Sequence, residues 1–315
     1  MNFAAPLAVD PLLTLPGRVM LAPMHGVMSA AFAAALDECG LASAAITPFL
    51  SVSKGSVPSA TALRRHLKAW RHTPESPRII QLLGRDPEEL AETALRLAGL
   101  GFPAVNLNFA CPAPVVVAKG HGGACLKDPA LIGRIVGTVR RRTEGKVSLS
   151  VKLRTGWDSP DEATEVLKAV RDAGASLAVV HFRTVREMYS AVEDPYARLA
   201  LCRKAVPGFP LFGNGDILTA ADAHAMCEVS GCDGAAAARG VWRNPRLLCE
   251  IEGRSGGGLP DAYAFLRVLC RHTLAQKTWP RNGFLECVKF AFGEESEEFR
   301  RIAQLPDEAV RAEFS

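Results

Sequence analysis

Short apolar runs recur along the chain at a steady interval, each followed by a turn and then a stretch with helical period. They are Arg18–Ala22, Ala44–Thr47, Arg78–Leu83, Ala104–Asn108, Val147–Lys152, Leu177–His181, Pro210–Gly213 and Gly234–Ala238. Continuous apolar runs of this length, rather than alternating ones, are the mark of parallel strands buried on both faces. Eight such strands alternating with helices predict a closed α/β architecture, the (β/α)8 TIM barrel, where a doubly wound sheet would more often stop sooner. Helix starts fall where the barrel needs them. Ser29 precedes Ala30–Cys39, with Gly40 as a stop, and Asp86-Pro87, Asp128-Pro129, Ser159-Pro160, Thr219 and Asn244-Pro245 are further capping signals.

Two segments fall outside this rhythm. Ser51 to Pro77 is longer than an ordinary βα connection and carries Lys54, Arg64, Arg65, His66, Lys68, Arg71 and His72 around Trp70. It reads as a solvated insertion helix. After residue 252 the run Gly253-Arg254-Ser255-Gly256-Gly257-Gly258 reads as a flexible joint. Helical segments follow near Asp261–Lys277, Phe284–Phe292, Ser296–Gln304 and Asp307–Phe314. The expected division is therefore a barrel domain over 1–252 and a small C-terminal helical domain over 253–315.

Composition narrows the class only modestly. The chain of 315 residues carries 37 Lys and Arg against 33 Asp and Glu, a net charge of +4. That suits an RNA or phosphate ligand without requiring one. The nine cysteines are an odd number at scattered spacings with no Cys-x-x-Cys, which argues against a disulfide framework or a metal site. Met1 to Pro16 lacks a basic leader and is broken by Pro6, Asp10, Pro11 and Pro16, so it is not expected to be a signal peptide. No apolar run approaches the roughly 20 residues that span a bilayer. A cytoplasmic protein that keeps its thiols free is expected, with no membrane and no metal.

Barrels of this kind react at the carboxyl ends of their strands, and here those ends are polar. The first ends at Ala22-Pro23-Met24, a rigid turn with a flat apolar face, and the third at Gln81-Leu82-Leu83-Gly84. The fourth carries Asn106 and Asn108 and runs into a proline-stiffened loop holding Cys111. The fifth ends Lys152-Leu153-Arg154, the sixth His181-Phe182-Arg183-Thr184, the seventh Asn214-Gly215-Asp216, and the eighth Arg239-Gly240. Buried asparagines and an unpaired buried lysine are costly unless a ligand or partner meets them. A free cysteine is more often a packing residue, but one on a proline loop among polar strand ends is a candidate for chemistry. Asn214, Gly215, Asp216, Arg239 and Gly240, on adjacent strands seven and eight, occupy the usual phosphate position of barrels. The amides of Gln81 and Asn108 suit the edge of a heteroaromatic ring, Ala22-Pro23-Met24 suits its face, and Lys152 and His181 suit its polar chain. Flavin mononucleotide meets each demand, whereas the Gly-x-Gly-x-x-Gly of a nicotinamide dinucleotide site is missing after the first strand.

These residues carry a resemblance. Ala22-Pro23-Met24, Gln81-Leu82-Leu83-Gly84, Asn108-x-x-Cys111-Pro112 with Gly122-Gly123-Ala124, Lys152-x-Arg154-x-Gly156, His181-x-Arg183-Thr184, Gly213-Asn214-Gly215-Asp216 and Arg239-Gly240 resemble the tRNA-dihydrouridine synthase family. Gly156-Trp157-Asp158-Ser159 and Ser230-Gly231-Cys232-Asp233 further resemble the branch acting on uridine 16 of the tRNA D-loop. The resemblance implies FMN as cofactor, NADPH as reductant and tRNA as partner, with the protein a monomer. It implies hydride delivery to C6 of a flipped uracil and protonation of C5 by Cys111. A free thiol, with a pKa near roughly 8.5, has a proton to give at neutral pH. Arg154, Arg183 and Lys289 are implied contacts to substrate or RNA. From sequence, a flavin barrel acting on a small metabolite or on ribosomal RNA stays open, as does a non-catalytic RNA-binding relative. Three departures from the family pattern bear on the pocket, one being Phe109-Ala110 before Cys111, where small polar residues or glycine are common. Phe182 stands where glycine is usual, which is expected to narrow the pocket or push the backbone outward. Ala235–Ala238 replaces larger aliphatics, which demands bulk from neighbours.

Overall fold

A computed structural model of the chain describes residues 1–53, 55–255, 261–276 and 279–315. Lys54, Lys277 and the glycines of the expected joint at 256–258 lie outside the described residues. The chain opens with an antiparallel hairpin, β1 (Leu7–Asp10) and β2 (Leu13–Leu15). The barrel strands follow as β3 (Val19–Leu21), β4 (Ala45–Ile46), β5 (Leu50–Ser51), β6 (Arg78–Leu83), β7 (Ala104–Asn108) and β8 (Ser148–Arg154). They are completed by β9 (Leu177–His181), β10 (Leu211–Asn214) and β11 (Gly234–Ala237). All barrel pairings are parallel, and the ring closes where β11 meets β3 (Ala235 opposite Val19) and β4 meets β6 (Ala45 opposite Arg78). The short β5 extends the course of β4 along the same neighbour, pairing Leu50 with Leu82. The result has eight staves, as the apolar periodicity predicts.

Alternation along each strand sorts the side chains. Val105, Leu107, Leu149, Val151, Leu153, Ala178 and Val180 point outward into the layer of helices. Met20, Ala22, Ile46, Ile79, Ala104, Leu177, Val179, Phe212 and Ala236 point inward and form the barrel's own core. The hairpin closes the amino end of this core with Leu13 and Leu15, both buried, and the Ser148 hydroxyl ties it down by donating to Asp10 Oδ2 at 2.7 Å. No strand was expected in Met1–Pro16, because its prolines break the alternation of a segment that needs only a few apolar contacts. The bulk missing from Ala235–Ala238 is supplied by the Phe212 ring, which lies so near Gly234 that a Cβ there would collide with it.

Of the capping residues read from sequence all but Asn244 act as caps; the helix after Asn244-Pro245 starts later, at Leu247, with Arg246 at its N-cap and no side-chain cap bond. Ser29, Asp86 and Asp128 accept backbone N–H groups in the first turns of Ala30–Glu38, Pro87–Ala98 and Pro129–Arg142. Ser159 and Thr219 each form a reciprocal capping box. The insertion contains the helix Ala60–Leu67, with Arg64, Arg65 and His66 exposed. It is less solvated than its charge suggests, since Leu63, Leu67 and Trp70 bury against the barrel layer. The C-terminal helices Ala262–Leu274, Arg281–Phe292, Glu297–Gln304 and Asp307–Glu313 dock on that layer. Phe265 packs against Phe32 and Trp242, and His272 meets Glu38 at 2.7 Å. No helix among the described residues is long and apolar enough to cross a membrane.

Candidate active site

At the carboxyl end of the barrel the inward positions change from aliphatic to polar. In the same inward phase as Ile79 and Ala104 come Gln81, Asn106 and Asn108, then Ser150 and Lys152, His181 and Asn214, all buried. Their carboxamides form a ladder. Asn108 Nδ2 donates to Gln81 Oε1 at 2.9 Å, Gln81 Nε2 to Asn106 Oδ1 at 2.8 Å, and Asn106 Nδ2 to the Ser150 hydroxyl at 2.9 Å. Each rung fixes the orientation of the next, since an amide that donates at one atom must accept at the other. Gln81 keeps one N–H, and Asn108 keeps one N–H, outside the ladder.

The ladder ends at the loop of interest. Asn108 Oδ1 accepts the backbone N–H groups of Ala110 and Cys111, each at 3.0 Å. Arg154 grips the other side of this loop. Its Nε donates to the Ala110 carbonyl at 3.0 Å, and its Nη1 donates to the carbonyls of Thr184 and Met188 at 2.8 and 2.9 Å. All nine cysteines are free. Eight are buried, and Cys111 alone is half-buried. Arg154, expected beside the substrate, spends its Nε on the carbonyl next to Cys111 and its Nη1 on two carbonyls of the segment after β9.

Next to this loop the site is rich in nitrogen. Lys152 is 8% exposed and pairs with no carboxylate among the described residues. Burial, then the charge of Arg154, lowers its pKa to about 7. His181 is held well below its ordinary value by burial and then by Lys152 and the neighbouring arginines, so its ring is neutral. Its Nδ1 accepts the Arg183 N–H at 3.2 Å. A buried lysine without a carboxylate partner beside a neutral imidazole is an arrangement that an anion or a polar group would suit.

Strand ends β10 and β11 form a second, ionic corner. Asp216 bridges two guanidiniums, Arg183 at 2.6 Å and Arg239 at 2.9 Å. Burial pushes its carboxyl up, but the two arginines outweigh that and hold it below the usual range. Arg183 braces this corner, with a further bond from its Nε to Ser190 O at 2.5 Å, while its buried Nη1 has no partner among the described residues. Asn214 donates to Ala236 O at 2.6 Å. Gly215 has a φ of 127° and lies against the Phe182 ring, and Gly240 abuts the Ile217 carbonyl, so neither position has room for a Cβ. Ala22 is buried, while Pro23 and Met24 are half-buried at the rim.

Phe182 therefore does not narrow the mouth. Being adjacent to inward-facing His181, it points outward, is 2% exposed, and fills the space under the Gly215 turn. Lys289 is remote from the amide ladder. It pairs with Glu286 at 2.9 Å and lines a cleft of about 310 Å3 with Asp216, Arg239 and Arg243. Tyr189 is the residue that sequence reasoning passed over. It is 57% exposed, with the guanidinium carbons of Arg239 and Arg154 at 5.2 and 5.6 Å from its ring centre. Nothing in its local sequence marks it; its place is set by the Arg154 and Arg183 bonds to the carbonyls on either side.

Residues 20–277 match the family model described as Dihydrouridine synthase (Dus). The chain belongs to the dihydrouridine synthase family. Among relatives of this family, the tRNA-dihydrouridine(16) synthase of Salmonella typhimurium is 38% identical over 233 residues, covering 73% of this chain and 74% of that protein. That of Aquipseudomonas alcaligenes is 32% identical over 249 residues and 78% of each chain. Solved structures share the fold at much lower identity. The old yellow enzyme from Trypanosoma cruzi superposes with a TM-score of 0.56 at 11% identity, over 84% of this chain and 95% of that one. A 2-naphthoyl-CoA reductase gives 0.62 at 13%, over 84% and 55%.

Proposed function

We propose that this chain is an FMN-dependent tRNA-dihydrouridine synthase that reduces uridine 16 of the tRNA D-loop, with NADPH as reductant. The observation that carries the reading is the Cys111 thiol, half-buried at the barrel mouth and tied through Asn108 to the Gln81 amide. A proton donor and a heteroaromatic-ring acceptor site are thereby held by one side chain. Family membership and the uridine-16 relatives support the substrate.

The residues present fit a flavin mononucleotide. Gln81 and Asn108 each keep an N–H outside the ladder for a ring edge, Lys152 lacks a counter-charge, and the Arg239 guanidinium stands against Asp216 at the Gly215 turn. In this reading Ala22, Pro23 and Met24 support the ring face, Gln81 and Asn108 its edge, and Lys152 and His181 its polar atoms. Asn214, Gly215, Asp216, Arg239 and Gly240 receive the phosphate. When bound, the flavin supplies the hydride.

The protein's own groups do the rest. Cys111 holds a proton for the carbon of the 5,6 bond that does not receive the hydride, and Arg154 keeps that thiol in place by fixing the loop from below. The pyrimidine must leave its stack to reach this depth, and Tyr189 offers an exposed ring at the rim for a neighbouring base. Arg239, Arg243 and Lys289, with the C-terminal unit 253–315, present cations to the RNA backbone. We read the protein as a cytoplasmic monomer.

The test is a nucleoside map of tRNA from a strain lacking the gene, beside the purified protein's absorbance. Loss of dihydrouridine at position 16, with a flavin spectrum in the protein, supports the reading. A yellow protein whose deletion leaves tRNA unchanged points to a small metabolite or ribosomal RNA instead.

A further inference from the structure

On the outer side of the turn that follows Cys111 lies another cleft, of about 470 Å3, lined among others by Arg85, Lys119, Gly120, Cys125, Lys127 and Asp128. It shares a wall with the loop that presents the thiol. Gly123 N donates to the Cys111 carbonyl at 2.9 Å, and Gly122 lies so near that a Cβ there would stand 3.0 Å from that of Cys111. The same turn closes the cleft from behind, with Cys125 Sγ donating to Gly120 O at 3.5 Å.

Three cations meet in this cleft, and none pairs with a carboxylate among the described residues. Arg85, Lys119 and Lys127 are all exposed. Lys127 Nζ sits 3.8 Å from the centre of the Trp157 ring, which holds it in position without neutralising it. The one acid, Asp128, is already engaged, capping the next helix at Leu131 N (2.8 Å) and approaching Arg134 at 3.8 Å. A wall of small residues and backbone with three uncompensated charges suits an anion of phosphate size rather than an apolar group.

Topology adds a direction. Arg85 follows β6 and the Lys119–Lys127 turn follows β7, while the Arg239, Arg243 and Lys289 cleft adjoins β10 and β11. In the ring β3-β4-β6-β7-β8-β9-β10-β11 these pairs stand four staves apart, on opposite sides of an eight-stave mouth. We infer that the RNA strand crosses the barrel mouth between two basic anchors, with Arg85, Lys119 and Lys127 binding its phosphodiesters on the Cys111 side of the reacting nucleotide. This rests on the tRNA reading above and adds the path of the strand.

The experiment compares the wild-type protein with the triple variant Arg85→Gln, Lys119→Gln, Lys127→Gln, all exposed side chains. Binding of an unmodified tRNA transcript is measured across a salt series, beside flavin content and NADPH oxidation without RNA. The triple variant is expected to keep its flavin and its KM for NADPH. It should bind tRNA at least ~10-fold more weakly at physiological salt, with the slope of log K against log salt shallower by about 0.7–0.9 per lost phosphate contact. Unchanged tRNA affinity and slope overturn the inference while leaving the wild-type activity, and so the proposed function, intact. A raised KM for NADPH with unchanged tRNA binding assigns the cleft to the reductant's phosphate and overturns it too. A wild-type protein that neither binds nor modifies tRNA removes the proposed function itself.

Discussion

Asn108 holds Cys111 in place: one carboxamide oxygen, 3.0 Å away, accepts the Cys111 N–H together with that of Ala110. Its nitrogen donates to Gln81. Loop position and ring-edge site are therefore coupled through the three heavy atoms of one carboxamide. Asn108→Ala leaves two backbone donors and the Gln81 oxygen unpaired, each costing about 1–3 kcal/mol where burial is retained. Dihydrouridine formation is expected to fall ~10–100-fold, by about 1.4–2.7 kcal/mol in the barrier. Steady-state assays on tRNA, with flavin content measured alongside, check it.

The pH dependence of stability follows from buried nitrogen and sulfur. Lys152 and His181 have lowered pKa values when folded, so the unfolded chain binds more protons, and stability rises with pH as these groups lose theirs. For His181 the window lies below about 6.5, and for Lys152 it opens at about 7 and runs toward the value of a free lysine. The thiols act in the opposite sense. Burial pushes Cys125 and Cys232 up to about 11 and Cys202, Cys227 and Cys287 up to about 12, so stability falls as pH rises above the ~8.5 of an unfolded cysteine. Thermal melts of the flavin-free protein should rise from pH 5 to about 8 and decline beyond. In Lys152→Met the gain between pH 7 and 8 disappears.

Phe182 supports the Gly215 turn from the barrel's outside, so of the two effects expected of it, a narrowed pocket or a backbone pushed outward, the first is not seen. Phe182→Gly should leave a cavity and destabilise the protein by about 3–5 kcal/mol, with weaker flavin retention as the turn relaxes. Urea unfolding and flavin content measure both. A pocket-narrowing residue would leave the unfolding midpoint unmoved and improve flavin binding.

The barrel was legible because parallel strands buried on both faces write continuous apolar runs, and because Ser29, Asp86, Asp128 and Thr219 mark helix starts in local chemistry. The polar strand ends were legible for a related reason: Gln81, Asn106, Asn108, Lys152 and His181 are too costly in a core to lack a purpose. What escaped was relational. The carbonyls and the carboxylate that engage Arg154 and Arg183 lie far along the chain from them, so only coordinates reveal these bonds. The side chain of Phe182 could be assigned to a face only once the phase of β9 was known. The hairpin Leu7–Asp10 and Leu13–Leu15 is short and proline-flanked, and Tyr189 is placed by long-range bonds to its neighbours' carbonyls.

The most direct measurement is the turnover of the Cys111→Ala variant on unmodified tRNA. A thiol acid at the mouth predicts full flavin content, normal reduction by NADPH, and dihydrouridine formation lowered ~100-fold or more. Wild-type turnover in that variant, at neutral pH and with tRNA bound normally, would contradict the role given to Cys111.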